Sequence, residues 1–139
     1  MTIVDTNVVS EVMKQRPDEG VLTWLGANPL DNMAITAVTL AEIHYGLCRL
    51  PHGRRRRDLE RSFRAFVDQG FAGRVLHFDA AAAEIYGDIV AQRERIGRPM
   101  DAFDAMIAAI ARVHRANLAT RNVADFDYCG VELVNPWTA

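Results

Sequence analysis

The sequence predicts an α/β domain built on a mostly parallel sheet, with about five short strand candidates separated by helical stretches. Three observations lead there. Short β-branched or apolar runs alternate with longer segments of helical periodicity, the pattern of a sheet covered by helices. The 139 residues, at 15.5 kDa, suffice for one core, so a single domain spanning 1–139 is expected. Half of the residues are apolar and 24% are charged, which suits a folded soluble protein and is too apolar for a disordered chain.

The elements follow in order. Thr2-Ile3-Val4 is a β-branched run that stops at Asp5, and Val8 to Met13 reads as a helix. Val21, Leu22, Trp24 and Leu25 predict a short second helix before the Asn28-Pro29 break. Met33-Ala34-Ile35 is a buried strand candidate. From Thr36 onward Leu40, Ile43, Leu47 and Leu50 recur at helical spacing until Pro51 and Gly53. Arg54 to Arg57 open a further helix with Leu59, Phe63, Phe66 and Val67 on its apolar side, closed by Gly70 and Gly73. Val75 to Phe78 reads as a strand, and Asp79 as the N-cap of an alanine-rich helix carrying Ile85, Tyr86, Ile89 and Val90. After the Gly97-Arg98-Pro99 break, Phe103, Met106, Ile107, Ile110 and Val113 outline the clearest amphipathic helix. Leu118-Ala119-Thr120 and Val131 to Val134 are the last strand candidates.

Charge and composition exclude several classes. A net charge of −2 gives no overall basic field to drive nucleic-acid or membrane binding. All basic residues except Lys14 are arginines, whose planar fork matches phosphate, so local anion binding stays open beside a bias of genome composition. No apolar run approaches the roughly 18 residues that span a bilayer, and no signal segment opens the chain, so a cytoplasmic protein without membrane contact is expected. Cys48 and Cys129 lack metal-ligand spacing and sit beside apolar residues, which predicts buried free thiols. His44, His52, His77 and His114 are scattered, and Trp24 and Tyr45 read as packing residues.

Four acids stand at informative places. Asp5 ends the first strand, Glu42 follows the second, Asp104 lies in the first turn of the Phe103 helix, and Asp125 follows the Thr120 strand. Ligand sites in open parallel sheets form at the carboxyl ends of strands. Carboxylates gathered there repel one another unless a cation or protons neutralise them, and oxygen donors without a His/Cys set suit Mg²⁺ or Mn²⁺. Each acid also has a purely structural reading. Asp5 caps a helix, Thr39 and Glu42 form a capping box, Asp101 caps and Asp104 meets a helix dipole, and Asp125 ends a turn.

The joint pattern resembles the PIN-domain ribonucleases, specifically VapC-type toxins of toxin–antitoxin pairs, over essentially the whole chain. Ile3-Val4-Asp5-Thr6-Asn7-Val8-Val9-Ser10-Glu11 is similar to the family's opening strand and catalytic aspartate. Thr36 to Gly46 resembles the second motif, with Glu42 as its glutamate, and Asp104 to Ala109 the third. Thr120-Arg121-Asn122 through Asp125-Phe126 resembles the fourth, and Asn135-Pro136-Trp137 a closing found in the FitB-like subgroup. Asn122 stands where some relatives carry an aspartate, which leaves the fourth acid to Asp125 or to none.

The resemblance implies a three-layer α/β/α PIN-like fold and a Mg²⁺- or Mn²⁺-dependent endoribonuclease that leaves a 3′-hydroxyl and a 5′-phosphate. Asp5 and Asp104 are the expected direct ligands, with Glu42 orienting or deprotonating a water on the ion and Asp125 holding a second ion or an outer water. Thr6, Thr120 and Asn122 are expected to hydrogen-bond these groups, and Asp101 to cap the helix or tune the site. The implied partners are a small VapB-like antitoxin, RNA as substrate, operator DNA reached only through the antitoxin, and a second copy in a homodimer. Arg54, Arg55, Arg56 and Arg57 are a solvated face, an RNA contact or a partner contact. A haloacid-dehalogenase-like phosphohydrolase would need an aspartate where Asn7 stands, and a phosphoacceptor receiver a late lysine that the chain lacks. A PIN fold with a decayed site, binding RNA or a partner without cleaving, is the remaining alternative.

Overall fold

Strand β1 (Thr2–Val4) occupies the centre of a five-stranded, all-parallel sheet in a computed structural model describing residues 1–139. The other strands are β2 (Met33–Thr36), β3 (Val75–Leu76), β4 (Asn117–Ala119) and β5 (Leu133–Val134), in the order β3-β2-β1-β4-β5. The chain therefore builds outward from β1 on one side, then crosses to the other. That reversal opens a crevice at the carboxyl ends of β1 and β4. Register makes the two ends neighbours: Val4 pairs with Ala119, and the Asp5 amide donates to the Ala119 carbonyl at 2.9 Å.

Six α-helices cover the sheet: α1 (Thr6–Val12), α2 (Glu19–Ala27), α3 (Ala37–Cys48), α4 (Arg54–Ala65), α5 (Ala80–Arg95) and α6 (Ala102–Val113). Alternation along β1 divides the core into two faces. Ile3 packs with Ile89, Ile107, Ile110, Leu118 and Phe126 beneath α5 and α6, whereas Val4 packs with Val8, Ile35, Phe63 and Phe71 beneath α1, α3 and α4. This is the three-layer α/β/α arrangement that the family resemblance implies. No helix is long and apolar enough to cross a membrane.

Local chemistry sets the boundaries, and some differ from expectation. Helix α1 begins at Thr6, not Val8, because the Asp5 carboxylate caps it through the Thr6 amide. Helix α3 is capped by Thr36, whose hydroxyl accepts from the Thr39 amide, so the capping box of Thr39 with Glu42, the structural alternative for Glu42, does not form. Asp79 and Asp101 cap α5 and α6 as expected. The ladders of β3 and β5 are shorter than the apolar runs carrying them, and β4 ends at Ala119, leaving Thr120 just beyond.

Burial also corrects the reading. Helix α6 is buried nearly all round, its alanines 105, 108, 109 and 111 allowing close approach to the sheet and α5, while Phe103 at its start lies 51% exposed. Trp24 packs on the core as expected, whereas Tyr45 is 63% exposed beneath the Arg49 guanidinium. Cys129 is buried but Cys48 is exposed, at the open groove between α3 and α4. All four histidines lie on the surface.

Candidate active site

Asp5 is the anchor of the crevice. It is buried, 4% exposed, at the junction of β1 with α1. One carboxylate oxygen accepts from the Thr6 amide at 2.8 Å. The other accepts from the Thr120 hydroxyl at 2.8 Å and the Asn7 side-chain amide at 3.3 Å. Thr120 reaches Asp5 because β4 runs beside β1 and ends one residue before it. Burial pushes the Asp5 carboxyl above its usual range, the Thr120 hydroxyl and Thr6 amide oppose that push, and the Asp125 charge adds to it.

Glu42 approaches from the second turn of α3. Its Oε1 accepts from the Thr6 hydroxyl at 2.8 Å, and the same hydroxyl lies 3.0 Å from the Thr39 hydroxyl. Thr6 thus joins the two acids, offering its backbone N–H to Asp5 and its side-chain O–H to Glu42. Partial burial raises Glu42, which also senses Asp5 and Asp101.

Asp104 stands half-buried in the first turn of α6. Its carboxyl is pushed up to about 7, first by burial and then by the charges of Asp5, Asp101, Asp125 and Glu42, with no hydrogen-bond donor to relieve it. All four predicted acids, together with Asp101, therefore share one electrostatic site. Asp101 itself is committed to α6, accepting from the Phe103 and Asp104 amides at 3.0 and 3.3 Å.

Asp125 sits exposed in a 3-10 turn, Val123–Phe126. Asn122 precedes that turn and corrects an expectation. It enters the network through its backbone N–H, which donates to the Thr120 hydroxyl at 3.1 Å, and its side-chain amide holds no protein partner at the site. Arg54 to Arg57 lie outside the crevice on α4. Of these, Arg56 turns inward and pairs with Glu60 at 2.7 Å.

Two residues escaped the sequence reading. Asn7 bridges the strand ends, its Nδ2 reaching Asp5 and Thr120 and its Oδ1 accepting from the Arg121 amide at 3.2 Å. Arg93 is buried, 4% exposed, and donates to the carbonyls of Arg98, Asp125 and Asp127, fixing the turn that carries Asp125. A signal for Arg93 existed: it continues the apolar face of α5 marked by Ala82 and Ile89, where an arginine needs acceptors.

No three acid, histidine or cysteine side chains are closed into a ready metal cage. The donor chemistry nonetheless fits a hard divalent cation. The converging groups are all carboxylates, and their mutual repulsion at Asp104 is what a bound cation relieves.

A central parallel sheet with acids at its carboxyl edge defines the class. The PIN domain model matches residues 2–128, and the chain belongs to the PIN-domain family. Among its relatives, VapC ribonuclease Y4jK of Sinorhizobium fredii is 38% identical over 137 residues, covering 99% of this chain and 98% of that protein. Toxin FitB of Neisseria gonorrhoeae is 35% identical over 137 residues, with 99% of both chains covered. The structure of FitAB bound to an IR36 DNA fragment contains a chain of 35% identity that superposes with a TM-score of 0.92, over 99% of this chain and 96% of that one.

Proposed function

We propose that this protein is a Mg²⁺- or Mn²⁺-dependent endoribonuclease acting as the toxin of a toxin–antitoxin pair. The observation that carries the reading is the convergence of Asp5, Glu42, Asp104 and Asp125, from four separate chain segments, on one site in which Asp104 is pushed up to about 7. Likeness to a VapC ribonuclease and to toxin FitB over nearly the full chain supports it.

Asp5 and Asp104 would hold the ion, with Asp125 beside them. When bound, the ion supplies positive charge at the scissile phosphate and acidifies water. The chain's own residues supply orientation and proton handling. Thr6 fixes one oxygen of Glu42 and leaves the other free to accept the proton of the attacking water. The water oxygen then attacks phosphorus, the bond from phosphorus to the 3′ oxygen breaks, the departing 3′ oxygen takes up a proton from solvent, and the products carry a 3′-hydroxyl and a 5′-phosphate. Thr120 and Asn7 hold Asp5 in one rotamer, so it does not reorient as charge develops.

A small antitoxin of the VapB kind is the proposed partner, operator DNA being reached through it, with a homodimer as the working unit. The assembly of FitAB with DNA, formed by a chain of the same fold, supports this reading. Purified protein is tested on RNA with Mg²⁺ or Mn²⁺. Cleavage should stop in chelator and fall at least about 100-fold in Asp5→Asn and Asp104→Asn. Full cleavage by either variant refutes the site, and full cleavage in chelator refutes the cation. A PIN fold with a decayed site would cleave under none of these conditions.

A further inference from the structure

The outer face of α4 carries a row of cations that the acidic crevice leaves unexplained. Six of the twelve residues of α4 are arginines against two acids, in a chain whose net charge is −2. Arg54, Arg57, Arg61 and Arg64 fall at i, i+3, i+7 and i+10, so they form one stripe about 15 Å long on the side opposite Leu59 and Phe63. All four are exposed. Asp58 pairs with Arg54 and Arg61, whereas Arg57 and Arg64 have no acid within ion-pair distance.

The placement works against the helix. Its first turn holds four arginines and no acid, and Gly53 supplies no side-chain cap, although a helix N-terminus favours negative charge. Of the four, Arg54 and Arg56 gain an acid one turn on, and Arg55 and Arg57 gain none.

From the composition of this face and the course of the chain, we infer that the Arg54–Arg57–Arg61–Arg64 stripe binds the phosphate backbone of the RNA substrate and leads it toward the acidic site. Arginine meets phosphate oxygens with a planar fork of donors. On the stripe itself a protein partner is the weaker match, because such interfaces are anchored by aromatic and aliphatic side chains; none of the exposed large apolar residues lies on α4, and its Phe63 faces the adjoining groove with Leu40 and Leu47. Direction follows from the helical hairpin. Helix α3 ends at Cys48 and α4 begins at Arg54, so the chain turns back and α4 returns toward the end of α3 that carries Glu42. Consistent with that course, Arg64, alone of the four stripe arginines, also borders the groove of about 870 Å³ between the two helices, where it meets Ala37 and Leu40 from the first turn of α3 and Phe63 from α4.

The inference rests on the ribonuclease reading, and the test separates the two. Binding of a labelled mixed-sequence single-stranded RNA is measured in chelator, over a range of salt, for the wild type and for Arg54→Gln/Arg57→Gln/Arg61→Gln/Arg64→Gln. The variant should weaken binding about tenfold or more and reduce the slope of log affinity against log salt by about 2 to 3, as expected when four phosphate contacts on a single strand are lost. The matching set of four lysines, which keeps the charge, should restore most of the slope. In cleavage with Mg²⁺, the glutamine variant should raise KM and leave kcat within about twofold. Unchanged affinity and slope overturn the inference while leaving the nuclease intact. Salt-dependent binding through the stripe, without any cleavage by the wild type, upholds the stripe and sinks the nuclease. Normal RNA binding with loss of antitoxin co-purification assigns the stripe to a protein partner and overturns the inference.

Discussion

Asp104 is the residue on which the site's electrostatics converge, and its protonation has a measurable sign. With its folded pKa pushed up to about 7 from an ordinary 3.8, the folded state holds the proton more tightly than the unfolded chain. That contribution to stability is present at low pH and is lost as pH rises through about 7. In chelator, wild-type Tm should therefore fall between about pH 5 and about pH 8 more steeply than that of Asp104→Asn, which carries no charge at either pH. Equal slopes in thermal melts would refute the reading. Thr120 gives a second prediction. Its hydroxyl donates to Asp5 and accepts from Asn7 and Asn122, so Thr120→Val should cost about 1–3 kcal/mol in chemical denaturation and push the Asp5 carboxyl higher still. Asp5 and Asp104 are legible in the sequence because a strand end and a helix first turn are local features. The Asn7 bridge is not, since it joins groups that meet only after β1 and β4 are side by side, and the Thr6 contact to Glu42 was expected from the family resemblance alone.

Helix starts do two jobs in this fold. Asp5, Thr36 and Asp101 cap α1, α3 and α6, and those three starts surround the crevice. At Asp101 capping and charge are separable. Asp101→Asn keeps an acceptor for the Phe103 and Asp104 amides, so stability should change by a few tenths of a kcal/mol, whereas Asp101→Ala should lose about 1 kcal/mol. Both variants remove one of the charges that raise Asp104, so its titration, followed by carbon NMR of the carboxyl, should move down in each. A drop in one variant alone would show that the cap, and not the charge, controls Asp104. Capping at Asp101 was readable from spacing. The Thr39–Glu42 box was not a true signal, because Thr36 lies three residues earlier with the same chemistry at the strand exit, and Glu42 is taken by Thr6.

Across the whole molecule, Arg93 ties the α5–α6 link to the turn bearing Asp125, so a buried cation sets the position of an acid contributed by a distant segment. Arg93→Met fills similar volume and leaves three carbonyls without their donor. A loss of about 2–4 kcal/mol in denaturant unfolding is expected, together with weaker cleavage from a displaced Asp125. Retained stability would mean that water replaces the guanidinium. The architecture as a whole was legible, because short apolar runs and helical stretches of period 3.6 alternate through three strand–helix units before the last two strands. The alternation of short runs and amphipathic stretches sufficed for the parallel class and the strand candidates, since these depend on neighbours within a few residues, whereas the choice of acids came from the family resemblance. Which strand lies beside which, and therefore that Thr120 meets Asp5, that Arg93 holds the Asp125 turn and that Phe103 and Tyr45 face solvent, was decided by tertiary packing. Those outcomes depend on distances between segments remote in sequence, and a linear pattern carries no term for them.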